Sequence, residues 1–265
     1  MILKDLKYLS WSKTRESSGT AGSYLKSYSY TNGIKRYFKL SFFDSNNGTF
    51  GYESVNEYIA SMLLDELGYN HVHYDLTYSM ISINNKDYIT YVSSSIDFKK
   101  PNESKITFEQ FYELNKENNE DLLAFCGRYG FLKDIYQMII IDYLICNRDR
   151  HGANIEVLYN SKTKSYRLAP LFDHGLSLLS PCYKDSDIDN YDIKKEVKVN
   201  SFIGSSNLEK NLDLVPTIYF PSKDISIDKL IDSIEIDNHK YLEKVRELLK
   251  WRWKGLEDIR NKRQA

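Results

Sequence analysis

The chain has few cysteines, no net charge to speak of and no long apolar run, and each shortage removes a class of protein. Its three cysteines, Cys126, Cys146 and Cys182, are odd in number and far apart in 265 residues, with no C-x-x-C pair. That excludes a disulfide framework and a cysteine-built metal site, and it fits a reducing compartment. Lysine and arginine total 36 against 37 acids, for a net charge of −1. A wholesale electrostatic grip on nucleic acid is therefore excluded, though a local patch is not. The most apolar stretch, 131–146, is interrupted by Lys133, Asp134, Gln137 and Asp142 and is too short to span a bilayer. Met1 to Ser10 has neither an apolar run nor a small-residue cleavage site, so no secretory signal is expected. No internal repeat or low-complexity tract is visible. Of five histidines, His71 and His73 sit two apart, on one face if the segment is a strand. No third ligand neighbours them in sequence, which argues against a zinc site.

What is present is an ordinary globular composition, 42% hydrophobic and 28% charged, too apolar for disorder. A chain this long buries roughly three quarters of its unfolded surface and needs no staples. Residues 16–43 read as a loop rich in Gly, Ser and Thr, then strand, turn and strand, with Asn32-Gly33 as the hairpin turn. Phe38 and Leu40 face one side of the second strand; Tyr37, Lys39 and Ser41 face the other. Residues 44–51 read as a loop. Val55, Ile59, Met62, Leu63 and Leu67 then recur at helical spacing, with Gly68 as a C-cap. Two β-like runs occupy 71–94. The polar segment 97–105 reads as the boundary between a first lobe, 1–97, and a second, 98–265.

The second lobe is mainly helical. Helices are expected over 108–115, 119–129 and 132–146, the last apolar nearly all round and therefore buried. A polar loop, 147–154, is followed by a strand pair. Residues 180–224 lack periodicity. A short helix over 227–234 precedes a long one over 241–261, with Leu242, Val245, Leu249, Trp253, Leu256 and Ile259 on one stripe. The fold class expected is α+β, two-lobed and protein-kinase-like, with a β-rich N-lobe carrying one long helix.

The chemistry concentrates in Asn147-Arg148-Asp149-Arg150-His151-Gly152-Ala153-Asn154. Phosphoryl transfer needs a carboxylate at the attacking hydroxyl and oxygen ligands for the metal that neutralises the phosphates. Protein kinases take these from an Asp and an Asn five apart, the spacing of Asp149 and Asn154. A second metal-binding carboxylate is then required, and Asp173 in Leu168-Ala-Pro-Leu-Phe-Asp-His-Gly175 supplies it beyond the strand pair. A strand lysine must reach the phosphates: Lys39 is the first choice and Lys35 the alternative. A helix carboxylate should pair with it, and Glu53 and Glu57, four apart on one face, are both candidates. Ser17-Ser18-Gly19-Thr20-Ala21-Gly22-Ser23 has the small residues and backbone N–H groups to cover phosphates.

With these residues in hand the chain resembles the HipA-like serine/threonine kinases, a group related in fold to phosphoinositide kinases. The resemblance rests on NRDRHGAN, RLAPLFDHG, VNEYIASMLLDELG and the small-residue loop near Gly19. It implies ATP and Mg2+ as cofactors, Asp149 as the catalytic aspartate and Asn154 and Asp173 as magnesium ligands. It places Lys39 on the α- and β-phosphates, Glu57 as its partner through the N-E-Y context, and Ser18, Gly19, Thr20 and Gly22 over the nucleotide. His151 falls at the family's loop histidine, in an orienting role. Because the glycine loop begins by residue 17, the match is to a compact form without the extra N-terminal β subdomain. The resemblance further implies autophosphorylation at Ser17, Ser18, Thr20 or Ser23, and a protein substrate such as a translation factor or an aminoacyl-tRNA synthetase. It leaves room for an antitoxin partner. No direct nucleic-acid contact and no membrane span are expected, and the location expected is cytoplasmic, with a secreted effector as the alternative. Two other readings compete: a lipid or small-molecule kinase, and a nucleotide-binding module without turnover.

Overall fold

The computed structural model describes residues 2–12 and 24–264. The expected glycine loop, 17–23, lies outside them. In the N-lobe a short strand β1 (Lys4–Asp5) precedes β2 (Lys26–Thr31) and β3 (Ile34–Leu40). Asn32 and Gly33 both have positive φ, 51° and 77°, the mirror-image turn whose twist suits a hairpin. That turn sets the register Thr31↔Ile34 through Lys26↔Lys39. Residues 44–51, expected as a loop, instead close a small hairpin of β4 (Phe42–Asp44) and β5 (Gly48–Phe50). The Asp44 carboxylate accepts the amides of Asn46 and Asn47 at 2.8 and 3.0 Å, and Phe42 and Phe50 pack across the strands at 4.8 Å. A side-chain-built turn and an aromatic pair outweigh the polar composition.

Helix α1 (Glu53–Leu67) follows and ends at Gly68, whose left-handed φ of 67° turns the chain out of the helix. Then come β6 (Tyr74–Ile83) and β7 (Lys86–Ile96), joined through Asn84 and Asn85 at φ 53° and 61°. The sheet order is β1-β6-β7-β3-β2, antiparallel except for the β1–β6 pair. His71 and His73 precede β6 rather than lying on a strand. Period-two alternation sends Phe38 and Leu40 into a cluster with Leu6, Leu25, Ile81 and Val92. Lys39 therefore emerges on the opposite face, toward α1.

The segment 97–105, read as a polar boundary, contributes a strand, β8 (Glu103–Thr107). It is followed by α2 (Phe108–Asn115), α3 (Leu122–Arg128), α4 (Leu132–Leu144), β9 (Asp149–Arg150), a single 3₁₀ turn over Gly152–Asn154, β10 (Glu156–Asn160) and β11 (Ser165–Leu168). The expected strand pair is thus three-stranded, in the order β11-β10-β8. Its charged residues do not simply face water. Glu103 takes Arg167 at 2.7 Å and Glu156 takes Lys105 at 2.7 Å across neighbouring strands. Sequence polarity alone does not reveal cross-strand pairing, which is why this strand was not anticipated.

Beyond β11 the chain forms α5 (Asp185–Asp189), β12 (Asn200–Ser201), α6 (Leu208–Asn211), α7 (Ile227–Asp232) and α8 (His239–Gln264). Strand β12 returns to lie parallel to β9. Helix α8 starts at His239, two residues before the expected start at 241, because Asn238 Oδ1 accepts the Tyr241 amide as a cap, at 3.0 Å. Its Leu242, Val245, Leu249 and Trp253 pack into one core with α4, which is buried nearly all round. This is an α+β, two-lobed kinase-like fold. No helix among the described residues is long and apolar enough to cross a membrane.

Ile140 has no exposed surface at the centre of α4. Ile140→Ala should lower unfolding stability by about 2–5 kcal/mol, read from denaturant midpoints at constant m-value.

Candidate functional site

Three side chains from separate stretches meet where β3, α1 and the segment after β11 converge. The Lys39 ammonium donates to Glu57 Oε1 at 2.7 Å and to Asp173 Oδ1 at 2.5 Å. Glu57 is fully buried, and its other oxygen accepts the His174 amide at 2.8 Å. Burial by itself would pull the Lys39 pKa down, but Asp173 and Glu57 outweigh it and hold the ammonium well above its ordinary value. Burial pushes the Glu57 carboxyl upward, with the Lys39 charge opposing. Of the two helix carboxylates, Glu57 is the one against Lys39. Glu53 turns to the Phe42 amide at 3.3 Å and the Tyr24 hydroxyl at 3.5 Å. Lys35 lies over the Tyr28 and Tyr37 rings at 4.3 and 4.8 Å, away from this cluster. Close approach also depends on Gly175: a Cβ there would sit 3.3 Å from the Lys39 ammonium and 3.3 Å from Glu53 Cβ. Asp173 itself is left-handed, φ 60°, a conformation that Asp tolerates better than most residues.

The loop after α4 is organised by a buried ion pair. Arg150, 1% exposed, meets Asp142 of α4 through Nε at 3.0 Å and Nη2 at 2.9 Å. Its remaining nitrogen donates to the carbonyls of Phe172 at 2.8 Å and Asn154 at 3.3 Å. One guanidinium thus ties together the backbones that carry Asn154 and Asp173. Asn147 completes the set, donating to Asp142 Oδ1 at 2.8 Å. Sequence reading passed over Asp142, Asn147 and Arg150. The available signal was an acid inside an otherwise apolar helix, since a buried carboxylate requires a partner.

Asp149 lies on β9, part exposed. Its Oδ1 accepts from Asn200 Nδ2 at 3.1 Å, and His151 Nε2 is 3.6 Å from its Oδ2. His151 Nδ1 accepts the Ala153 amide at 3.2 Å, so its ring proton sits on Nε2, facing Asp149. Asn154 Nδ2 donates to the Asp149 carbonyl at 2.9 Å, which leaves the amide oxygen as that side chain's acceptor atom. Asn200 is a second residue the sequence did not single out, brought in by the β9–β12 pairing across 51 positions.

Lys39 and Asp173 line one end of a cavity of about 590 Å³, within the range of small-molecule and cofactor sites. Ile96, Asp97 and Phe98, leaving β7, form another part of its wall. Phe98 stacks on Phe172 with ring centroids 5.8 Å apart. Asp149, His151 and Asn154 are not among its lining residues. The donor chemistry is oxygen throughout, carboxylate at Asp173 and amide at Asn154, which suits a hard divalent ion rather than a soft one. Ser18, Gly19, Thr20 and Gly22 lie outside the described residues.

With this geometry in place, comparison with known proteins separates fold from family. A model of the phosphatidylinositol 3- and 4-kinase family matches residues 42–199, more than half of the chain. The chain belongs to that family. The matched region contains Glu57, Asp149, Asn154 and Asp173, while Lys39 lies just before it. A serine/threonine-protein kinase named CtkA, from Helicobacter pylori, is 27% identical across 67% of this chain and 63% of its own length. The chain therefore spans less than two thirds of that curated relative. The crystal structure of an H. pylori proinflammatory kinase CtkA covers 99% of this chain and 97% of its own at 18% identity, with a TM-score of 0.68. HipA from a Shewanella oneidensis toxin–antitoxin complex with HipB and operator DNA covers 94% of this chain and 68% of its own at 13% identity, with a TM-score of 0.51. The fold is that of the HipA-like kinases, a fold that in general works with a nucleotide and a divalent metal.

Removing Asp142 would strand Arg150 as an unpaired buried charge. Asp142→Ala should cost about 3–5 kcal/mol of unfolding stability, and a loss below about 1 kcal/mol would show that the pair does not hold the loop.

Proposed function

We propose that the chain is a serine/threonine protein kinase that uses ATP and Mg2+. One observation supports this most: an ammonium held between a helix carboxylate and Asp173 at the end of a nucleotide-sized cavity. In this reading the N-lobe, 1–97, and the C-lobe, 98–265, meet at the cavity. The aromatic pair Phe98–Phe172 lies on the side for the base, and Lys39 fixes the α- and β-phosphates. The resemblance assigns Ser18, Gly19, Thr20 and Gly22 to the phosphates, where backbone N–H groups would serve. Asn154 and Asp173 would hold Mg2+, which when bound neutralises charge on the phosphate oxygens. With the metal bound, Asp173 would serve as its ligand and Glu57 would remain the partner of Lys39.

Asp149 aligns the substrate hydroxyl and takes its proton as the hydroxyl oxygen bonds to the γ-phosphorus and the bond to the β–γ bridging oxygen breaks. His151 and Asn200 orient the Asp149 carboxylate from either side. The HipA-like resemblance extends the proposal to autophosphorylation at Ser17, Ser18, Thr20 or Ser23. It also extends it to a cytoplasmic protein substrate, a translation factor or aminoacyl-tRNA synthetase, and to restraint by an antitoxin.

A second reading is favoured by the family itself: a lipid or small-molecule kinase acting on a phosphoinositide-like hydroxyl. Intact mass after incubation with ATP and Mg2+, beside peptide and phosphoinositide substrates, separates the two. The protein-kinase reading expects phosphoryl gain on the chain or a peptide, abolished by Lys39→Met and Asp173→Ala. Asp149→Ala should slow it by about 10²- to 10⁴-fold. Phospholipid product alone would favour the second reading. Undiminished product in Asp149→Ala and Asp173→Ala would overturn both assignments.

A further inference from the structure

Among the described residues outside the cavity, one cluster of ligating side chains has no part in the proposed chemistry. Asp65 near the end of α1, and His71 and His73 before β6, bring one carboxylate oxygen and two ring nitrogens within 4.8 Å of one another. His73 Nδ1 is 3.2 Å from Asp65 Oδ1, and His71 Nε2 is 3.8 Å from the same oxygen. Donors around a tetrahedral zinc ion at about 2.0–2.1 Å are themselves separated by roughly 3.4 Å. Two of the three separations bracket that spacing and the third is within 4.8 Å, so side-chain rotations can close the triangle. Sequence spacing had argued against a zinc site because no third ligand neighbours the histidines. The fold supplies one by folding the α1 terminus back over them.

We propose that Asp65, His71 and His73 form a binding site for a zinc-like transition-metal ion, three protein ligands with the outer position open to water. The buried member is prepared for it. His71 Nδ1 lies 2.9 Å from the Tyr69 carbonyl, which cannot donate, so the ring proton sits there and Nε2, 3.8 Å from Asp65 Oδ1, is the nitrogen that keeps a lone pair. That is the outer-shell arrangement typical of a metal-bound histidine. Nε2 now accepts the Ser61 hydroxyl at 3.0 Å, and an ion would take that lone pair in place of the hydroxyl, with the Ser61 side chain turning aside from Nε2 and from the Tyr74 amide it also accepts. The other two ligands are open to solvent, with side chains 53% exposed for Asp65 and 74% for His73, so an ion has an entry path. Two imidazoles and one carboxylate select zinc and its neighbours over magnesium or calcium.

The position gives such an ion leverage. Segment 70–72 pairs with Leu171: the Val72 amide donates to its carbonyl at 2.8 Å, and its amide donates to Asn70 at 3.0 Å. Leu171 is two residues before Asp173. Asp65 lies two turns along α1 from Glu57. A bound ion would fasten the helix carrying Glu57 to the segment carrying Asp173.

The test is zinc titration of the full chain against a competing chelator dye, with thermal unfolding in parallel. The expected result is about one zinc ion per chain and a rise in Tm. His73→Ala and Asp65→Ala, both exposed and neither a lining residue of the cavity, should fold normally without metal yet weaken zinc binding by at least ~10-fold each. Excess Mg2+ should not displace the zinc. Failure of the wild-type chain to bind zinc at sub-millimolar free metal, or unchanged affinity in either variant, would overturn the site. Neither result depends on kinase activity.

Discussion

A lysine brought into a protein interior must be neutralised, and Lys39 is neutralised by carboxylates from two different parts of the chain. Glu57 comes from a helix and Asp173 from an irregular segment more than a hundred residues later. Neither can be placed without the other. The ammonium therefore fixes the relative position of β3, α1 and residues 172–175, and it does so where β3 and residues 172–173 border the cavity. The Glu57 carboxylate also accepts the His174 amide, so the same helix side chain reads both the lysine and the backbone beside Asp173.

A second buried charge repeats the logic on the other side. Arg150 is neutralised by Asp142, and its spare N–H groups hold the carbonyls of residues 154 and 172. The loop between α4 and β10 is short of regular hydrogen bonds, having only two residues of strand and one 3₁₀ turn. A guanidinium with five donors in a rigid fork substitutes for that missing ladder. Once Arg150 is fixed, Asp149 and His151 on either side of it are directed outward, where Asn200 meets Asp149 through the short parallel pair of β9 and β12.

Much of the fold was legible because its signals are local. Asn32-Gly33 specifies a turn by its φ requirement, α1 is announced by apolar spacing and Gly68, and α8 by its stripe. Lys39, Glu57 and Asp173 could be nominated from residue type and spacing before any coordinates. What the sequence did not disclose depends on pairing at a distance. Strand β8 looks like a polar linker until Glu103 finds Arg167 and Lys105 finds Glu156. Asp142 looks like an interruption of an apolar helix until Arg150 is brought under it. Asp65 looks like a surface acid until the chain turns His71 and His73 back beside it. In each case the residue type was visible and its partner was not.

Helix α1 shows why an apolar stripe is an incomplete description of a buried helix. Its apolar residues, Val55, Ile59 and Leu63, pack into the core, but Glu53, Ser54, Asn56, Glu57 and Ser61 are buried too. A buried polar group without a partner is costly, so each must find one. Ser54 donates to the Lys39 carbonyl, and Asn56 donates to Gly175 and Ser177 while accepting the Tyr241 hydroxyl. Glu57 takes Lys39, and Ser61 takes His71 and the Tyr74 amide. These partners lie on β3, on the segment after Asp173, on α8 and on the approach to β6. Rotating α1 by one residue, about 100°, would break all of these contacts at once and leave several buried groups unpaired. The orientation of Glu57 is therefore set by the whole polar face of the helix, and anything that grips that face at its far end, beside Asp65, acts on the same rigid lever.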